Sequence, residues 1–248
     1  MNLPKTNSSL PLQSTVPDMN PWPVTIATYN IHGAIGTDRK FAPERIADVL
    51  KEIKADVIAL QEVPLGGKVY PDVLHVLQQA TGFNAVGGFT YDAPKCRYGN
   101  AVLSRYPIIN TRSIDLSFGS REPRGALDAD IDCHGHPLRV IATHLGLGIG
   151  ERQTQIKLLL QAFDTDRMPV ILLGDINEWF AWGSTLRMLC NHFESVPAPA
   201  TFPSRWPILA LDRIWISPRH RLVHVEVHAT PIARNASDHL PLIAHIDG

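Results

Sequence analysis

A group of residues able to handle a charged oxygen substrate stands at the ends of apolar runs. Asn30 follows VTIATY, Glu62 follows VIALQ and His144 follows RVIAT. Asp175 and Asn177 follow VILLG, Asp212 precedes RIWIS, and Asp238-His239 precedes LPLIAHI. A carboxylate at the end of a dry segment is costly to dehydrate unless something positive meets it. The carboxylates and carboxamides are hard donors and no thiolate stands among them, so the set suits magnesium or manganese, not zinc or copper. Imidazoles beside such a cation suit phosphoryl chemistry. Cation and imidazolium neutralise charge on the phosphorus oxygens while a carboxylate or amide positions the attacking water. The set reads as metal-assisted hydrolysis of a phosphoester.

The elements that must position these residues alternate between strands and amphipathic helices. VTIATYNI (Val24 to Ile31) is short and β-branched, as a strand should be. Pro43 suits a first helical turn, and Ile46, Val49, Leu50 and Ile53 follow at the spacing of one apolar helix face. VIALQEV (Val57 to Val63) is the next strand, and a second helix is expected over Pro71 to Ala80. Further strands are expected at Ala101 to Ser104, Ile108 to Leu116, Ala126 to Cys133 and Leu138 to Leu145. In ALDADIDC, Asp128, Asp130 and Asp132 alternate with apolar residues, which predicts a half-exposed antiparallel strand with solvated carboxylates. A helix from Glu151 to about Phe163, the strand VILLG, a helix around Thr185 to Leu189, and strands at LDRIWIS, LVHVEVH and HLPLIAHI complete the chain. Strands in mixed connection with helices between them imply a layered α/β sandwich, sheets inside and helices outside.

The bulk properties set limits. The 248 residues suit one large domain or two small ones, and 44% apolar with 19% charged residues is ordinary globular composition. Lys+Arg 23 against Asp+Glu 24 lacks the basic excess usual in proteins that hold long nucleic acid by bulk charge. Cys96, Cys133 and Cys190 are scattered and form no CxxC spacing, so a reducing, cytoplasmic setting is expected. Residues 1–22, rich in Pro, Ser, Thr and Asn, read as a flexible tail without the apolar run of a signal peptide, and no membrane span is expected. With no coiled coil or apolar surface helix in view, the expectation is a monomer.

TYNIHG, LQEV, GNAVLSRYPI, ATHLG, LLGDINEW, LDRIWIS and SDHLPL together resemble the ordered motifs of the endonuclease/exonuclease/phosphatase superfamily. The resemblance runs from about Val24 to Ile246 and covers deoxyribonuclease I, exonuclease III, neutral sphingomyelinase and the inositol polyphosphate 5-phosphatases. It implies a four-layered α/β sandwich, two packed mixed β-sheets flanked by helices, as one catalytic domain over residues 23–248. It also implies roles. Glu62 would be the main ligand of Mg²⁺ or Mn²⁺, with Asn30 and Asp238 at or beside the metal. Asp175 would orient or deprotonate the water, and Asn177 would hold it or a phosphate oxygen. His239, paired with Asp212, would contact the phosphate, and His144 resembles a second histidine found in the deoxyribonuclease I and sphingomyelinase branches. The loops holding Tyr98, Arg121 and Arg124 match loops that approach the scissile phosphate in relatives, where Arg suits bidentate contact.

Trp179, Phe180 and Trp182 fit two readings: core packing under a loop, or a wall of the substrate pocket, with Trp179 the candidate contact. The superfamily shares its reaction and differs in substrate. Neutral charge and the lack of a long basic insertion favour a small nucleotide, a sugar phosphate or a phospholipid headgroup over nucleic acid. A nuclease with a groove lined by Arg97, Arg121, Arg124, Arg205 and Arg234 is the alternative. A non-catalytic binding module of the same fold is a weaker one, because the expected functional groups are all present. A calcineurin-type metallophosphatase is excluded: it needs a GNH[DE] element, and Gly99 to Ala101 reads GNA.

Overall fold

The apolar runs become two mixed sheets. The computed structural model describes residues 23–68, 71–162 and 168–247. The tail expected over residues 1–22, and Phe163 at the expected end of the third helix, lie outside the described residues. One sheet holds β1 (Val24–Asn30), β2 (Val57–Pro64), β3 (Asn84–Ala93), β4 (Cys96–Ser104), β10 (Leu222–Val227) and β11 (Leu242–Ile246). Its order is β10-β11-β1-β2-β4-β3. The other runs in chain order through β5 (Ile108–Asp115), β6 (Gly125–Cys133), β7 (His136–His144), β8 (Val170–Asp175) and β9 (Asp212–Ser217). The helices are α1 (Pro43–Ile53), α2 (Val73–Thr81), α3 (Ile149–Gln161), α4 (Ser184–Phe193) and the short α5 (Ala233–Ala236).

β1 and β2 pair in parallel, as do β7 and β8, because α1 and α3 carry the chain back as crossovers. In α1, Ile46, Val49, Leu50 and Ile53 are all buried, as their spacing predicts, and burial of each contributes roughly 1.5–3 kcal/mol. They pack with Val73 and Leu77 of α2 on the outer face of the first sheet. Ile156 and Leu159 of α3 and Leu189 and Phe193 of α4 cover the outer face of the second, against Leu172 and Trp215. Between the sheets, Val57, Ala59 and Val102 meet Leu127, Val140 and Leu173. The result is the four-layered α/β sandwich.

The structure departs from expectation in the strands nearest the glycines and charges. β3 escapes its sequence because Gly87 and Gly88 interrupt any alternation, and most of its side chains are only partly buried at a sheet edge. β4 starts at Cys96 rather than Ala101. Two of the three carboxylates of β6 are not solvated: Asp128 is 1% exposed and Asp130 8%, while Asp132 is partly exposed. Arg112 of β5 grips both, 2.9 Å from Asp128 Oδ2 and 2.6 Å from Asp130 Oδ1. Arg139 of β7 donates to Asp128 Oδ1 at 2.9 Å. The arginine stems cover the polar face while their heads neutralise it, an arrangement made across strands and invisible along one.

Candidate active site

Strand register sets the site. His144 at the end of β7 lies opposite Asp175 of parallel β8, and Asp175 lies opposite Asp212 at the start of antiparallel β9. On the other sheet, Asn30 of β1 lies opposite Gln61 of β2, one residue before Glu62. β11 runs antiparallel to β1, so the loop before it delivers Ser237, Asp238 and His239 to the same rim. The two sheets meet there through Asn30 Nδ2, which donates to Glu62 Oε1 and to Asp175 Oδ2, both at 3.1 Å.

The backbone is bent to aim these groups. Glu62 and Asn177 hold φ of 58° and 53°, a left-handed conformation that costs a non-glycine residue on the order of 1–3 kcal/mol. At Glu62 the register between β2 and β4 shifts after Leu60, and such a bulge redirects a side chain. Gly174 has φ 146°, and a Cβ there would fall 1.8 Å from the Thr143 carbonyl oxygen, so only glycine lets β8 reach β7 just before Asp175.

Asp175 is the hub. Its Oδ2 lies 3.5 Å from His144 Nε2 and 3.6 Å from His239 Nε2, and its Oδ1 accepts the Asn177 backbone N–H at 2.9 Å. His239 Nδ1 donates to Asp212 Oδ2 at 2.8 Å, and Thr201 Oγ1 donates to the same oxygen at 2.6 Å. Asp212 is fully buried. Burial works against a charge on His239, but Asp212 first, then Asp175 and Asp238, outweigh it and push its pKa up to about 10. This upward shift favours the imidazolium at neutral pH.

His144 is set the other way. Burial and the Arg124 charge pull its pKa down to about 4 against the opposing pull of Asp175. Arg124 lies 2.9 Å from His144 Nδ1 and can only donate, so Nδ1 accepts and the single ring proton sits on Nε2. Asn177 Nδ2, 3.0 Å from that nitrogen, then donates to the Leu145 carbonyl at 2.9 Å. The Nε2–H is left to face Asp175 Oδ2.

Tyr98 and Arg124 are thus both in the site. Tyr98 donates to Glu62 Oε2 at 2.8 Å, and burial and the Glu62 charge drive its phenol pKa upward, which keeps it a donor. Asp238 stands beyond Asn30, its Oδ1 3.7 Å from His32 Nδ1. Trp179 is 57% exposed at the rim, so the core-packing reading fails for it, as it does for Phe180 at 52% and Trp182 at 75%. Arg97 and Arg121 are turned to partners of their own, Asp92 at 2.9 Å and Glu151 at 3.2 Å.

Among the described residues no three His, Cys, Asp or Glu side chains are gathered tightly enough to cage a cation as they stand. The donor chemistry nevertheless fits a hard divalent ion. Glu62 and Asp238 keep 24% and 38% of their side chains exposed, and a cleft of about 330 Å³ walled by Glu62, Tyr98, His32 and Phe41 opens beside them. Mg²⁺ and Mn²⁺ commonly take one or two carboxylates and complete their shells with water and substrate oxygens.

Several supporting residues escaped the sequence. Ser237 Oγ donates to the Asn30 carbonyl at 2.7 Å and accepts the His239 N–H at 3.2 Å, locking the two sides of the site together. Arg152 of α3 and Glu178, both buried, pair at 3.3 Å, and Arg152 also donates to the Leu147 carbonyl at 2.7 Å. The pair ties the loop after His144 to the loop after Asn177. Only the place of Glu178 next to Asn177 could have marked it.

A model of the Endonuclease/Exonuclease/phosphatase family matches residues 27–239. The protein YbhP of Escherichia coli (strain K12) is 33% identical over 250 residues, spanning 89% of this chain and 95% of that one. A mannosyl-6-phosphatase from Bacteroides thetaiotaomicron superposes with a TM-score of 0.72 at 19% identity, over 89% of this chain and 98% of that one. TDP2 of D. rerio, complexed with single strand DNA product, superposes with a TM-score of 0.66 at 17% identity, over 90% and 98%.

Proposed function

The chain belongs to the endonuclease/exonuclease/phosphatase family, and on that footing we propose that it is a divalent-metal-dependent phosphoesterase. It hydrolyses a phosphodiester or phosphomonoester by in-line attack of water. The observation that carries this reading is the ring of donors around Asp175 Oδ2: Asn30 at 3.1 Å, His144 at 3.5 Å and His239 at 3.6 Å. A carboxylate held this way can orient a water and accept its proton, while two rings with different charge face the space where phosphorus would sit.

His239 brings a positive charge and an Nε2–H to the phosphoryl group, and Asp212 keeps the ring oriented. His144 contributes a neutral Nε2–H to a non-bridging oxygen. Asn177 steadies the attacking water or that oxygen. As water bonds to phosphorus and gives its proton to Asp175, the bond from phosphorus to the leaving oxygen breaks, and that oxygen takes a proton from the His239 imidazolium or from solvent. Mg²⁺ or Mn²⁺, held by Glu62 with Asn30 and Asp238 beside it, would supply further charge neutralisation on the phosphoryl oxygens.

The substrate is a small phosphoester: a nucleotide, a sugar phosphate or a phospholipid headgroup. The occupation of Arg97 and Arg121 by Asp92 and Glu151 supports this, since it removes two cations from any nucleic-acid groove. The test is turnover of bis-p-nitrophenyl phosphate and p-nitrophenyl phosphate with Mg²⁺ or Mn²⁺, with and without EDTA. Activity is expected only with metal. Turnover that survives EDTA, or none with either metal, overturns the reading, and nicking of plasmid DNA at low enzyme reverses the substrate class.

A further inference from the structure

Exposed apolar side chains are not spread evenly over this protein. Among the described residues, the large exposed hydrophobics away from the catalytic rim are Ile109, Leu158 and Val223. The others stand on segments that carry or flank the site. Leu147 (69% exposed) and Ile149 (58%) follow His144, and Trp182 (75%) follows Asn177. Trp206 (81%) and Ile208 (77%) project from the segment between Phe202 and Asp212. That segment is anchored to the site: the Phe202 ring lies 4.9 Å from the His239 ring, and the Ile208 N–H donates to the Phe202 carbonyl at 2.9 Å.

Cations stand among these side chains. Arg39 and Lys40 are exposed directly before Phe41, which is 48% exposed, and Arg205 is exposed directly before Trp206. Arg205 also reaches across to Thr37 Oγ1 at 3.1 Å, so the two loops and their charges form one corner of the rim. Acidic groups on the same side are already paired: Asp38 with Arg45, Glu122 with Arg124 and Glu178 with Arg152.

We propose that this collar seats on the surface of a phospholipid bilayer, so that the site meets its phosphodiester as the headgroup of a membrane lipid. The inference rests on the phosphoesterase reading and narrows it. Tryptophans mixed with leucine and isoleucine, flanked by Arg and Lys, match the boundary between headgroups and acyl chains, where Trp rings settle and basic side chains meet lipid phosphates. A single-stranded nucleic acid would use the aromatic rings for stacking but has no use for Leu147, Ile149 and Ile208. No helix among the described residues is long and apolar enough to span a membrane, so the contact is peripheral.

The test is co-sedimentation with large unilamellar vesicles of phosphatidylcholine and phosphatidylglycerol, with tryptophan emission read in parallel. The wild-type protein should pellet with the vesicles and its emission should shift to the blue. The double variant Trp206→Ser/Ile208→Ser should bind vesicles roughly tenfold more weakly or worse, since interfacial binding scales with inserted apolar area. Its turnover of bis-p-nitrophenyl phosphate with Mn²⁺ should be unchanged. No vesicle binding by the wild type, equal binding by the variant, or a loss in the variant of oligothymidylate binding instead would each overturn the proposal. Vesicle binding intact with no turnover of the soluble ester would support the docking and remove the phosphoesterase reading alone.

Discussion

His144 and His239 approach one oxygen, Asp175 Oδ2, at 3.5 and 3.6 Å, yet their surroundings drive them to opposite charge states. Burial and Arg124 hold His144 near a pKa of 4, while Asp212 lifts His239 to about 10. In the proposed phosphoesterase, two titratable groups pushed apart in this way would divide the labour: one donates as a neutral ring, the other as a cation.

The metal-free protein should therefore show two opposed pH effects on stability. His239 is raised above its ordinary 6.5, so its contribution is full below pH 6.5 and lost as the pH rises towards 10. His144 is depressed below 6.5, so between pH 4 and 6.5 the unfolded chain binds more protons and stability rises with pH. Urea unfolding across this range should peak near pH 6.5. In Asp212→Asn, NMR should find the His239 titration shifted down and the fall on the alkaline side removed.

Asp175→Asn and His239→Ala should each lower the rate on bis-p-nitrophenyl phosphate by about a hundredfold or more, the scale seen when a preorganised transition-state donor is removed. Glu62→Gln should raise the Mn²⁺ concentration needed for half-maximal rate. An Asp175→Asn variant with undiminished turnover would end the mechanism.

Arg152 and Glu178 lie 3.3 Å apart and are 3% and 4% exposed. Glu178→Ala leaves a buried guanidinium without its partner and should cost about 3–5 kcal/mol in urea unfolding. Because the pair joins the loops beyond His144 and Asn177, the rate should fall as well. Replacing both residues by Met should recover much of the stability.

The arginine clamp on β6 sets acid tolerance. Burial opposes the Asp128 charge, but hydrogen bonds from Arg139 and Arg112 prevail and hold its pKa below the ordinary 3.8. A depressed carboxylate contributes stability that is full above pH 3.8 and drains away as the pH falls below it. Asp128→Asn should lower the melting temperature at pH 7 and flatten the loss between pH 4 and the acid limit, as followed by circular dichroism.

Gly174→Ala should destabilise the fold rather than the chemistry alone. A Cβ there would sit 1.8 Å from the Thr143 carbonyl oxygen at φ 146°, so β7 and β8 would have to part. Loss of soluble protein, or a lowered melting temperature, is the expected result.

Most of the candidate site was legible because each member stands at one end of an apolar run. Local order alone placed Asn30, His144, Asp175 and Asp212 at strand ends, and the spacing of Ile46, Val49, Leu50 and Ile53 identified the buried face of α1; Glu62 instead stands at a bulge inside β2. β3 was missed because Gly87 and Gly88 erase the alternation that marks a strand. Asp128 was misread because the side chains that neutralise it, Arg112 and Arg139, belong to other strands.

The sequence by itself determined which groups sit at the rim and what chemistry their donors suit, since both follow from residue type and local periodicity. Only the tertiary structure decided their partners: His144 meets Arg124, Glu178 meets Arg152, and Asn30 bridges Glu62 and Asp175. It also decided that Trp182 and Trp206 face outward around the site rather than inward beneath a loop. Charge state and exposure depend on neighbours brought close by sheet pairing and layer packing, and a chain read one residue after another carries no record of those distances.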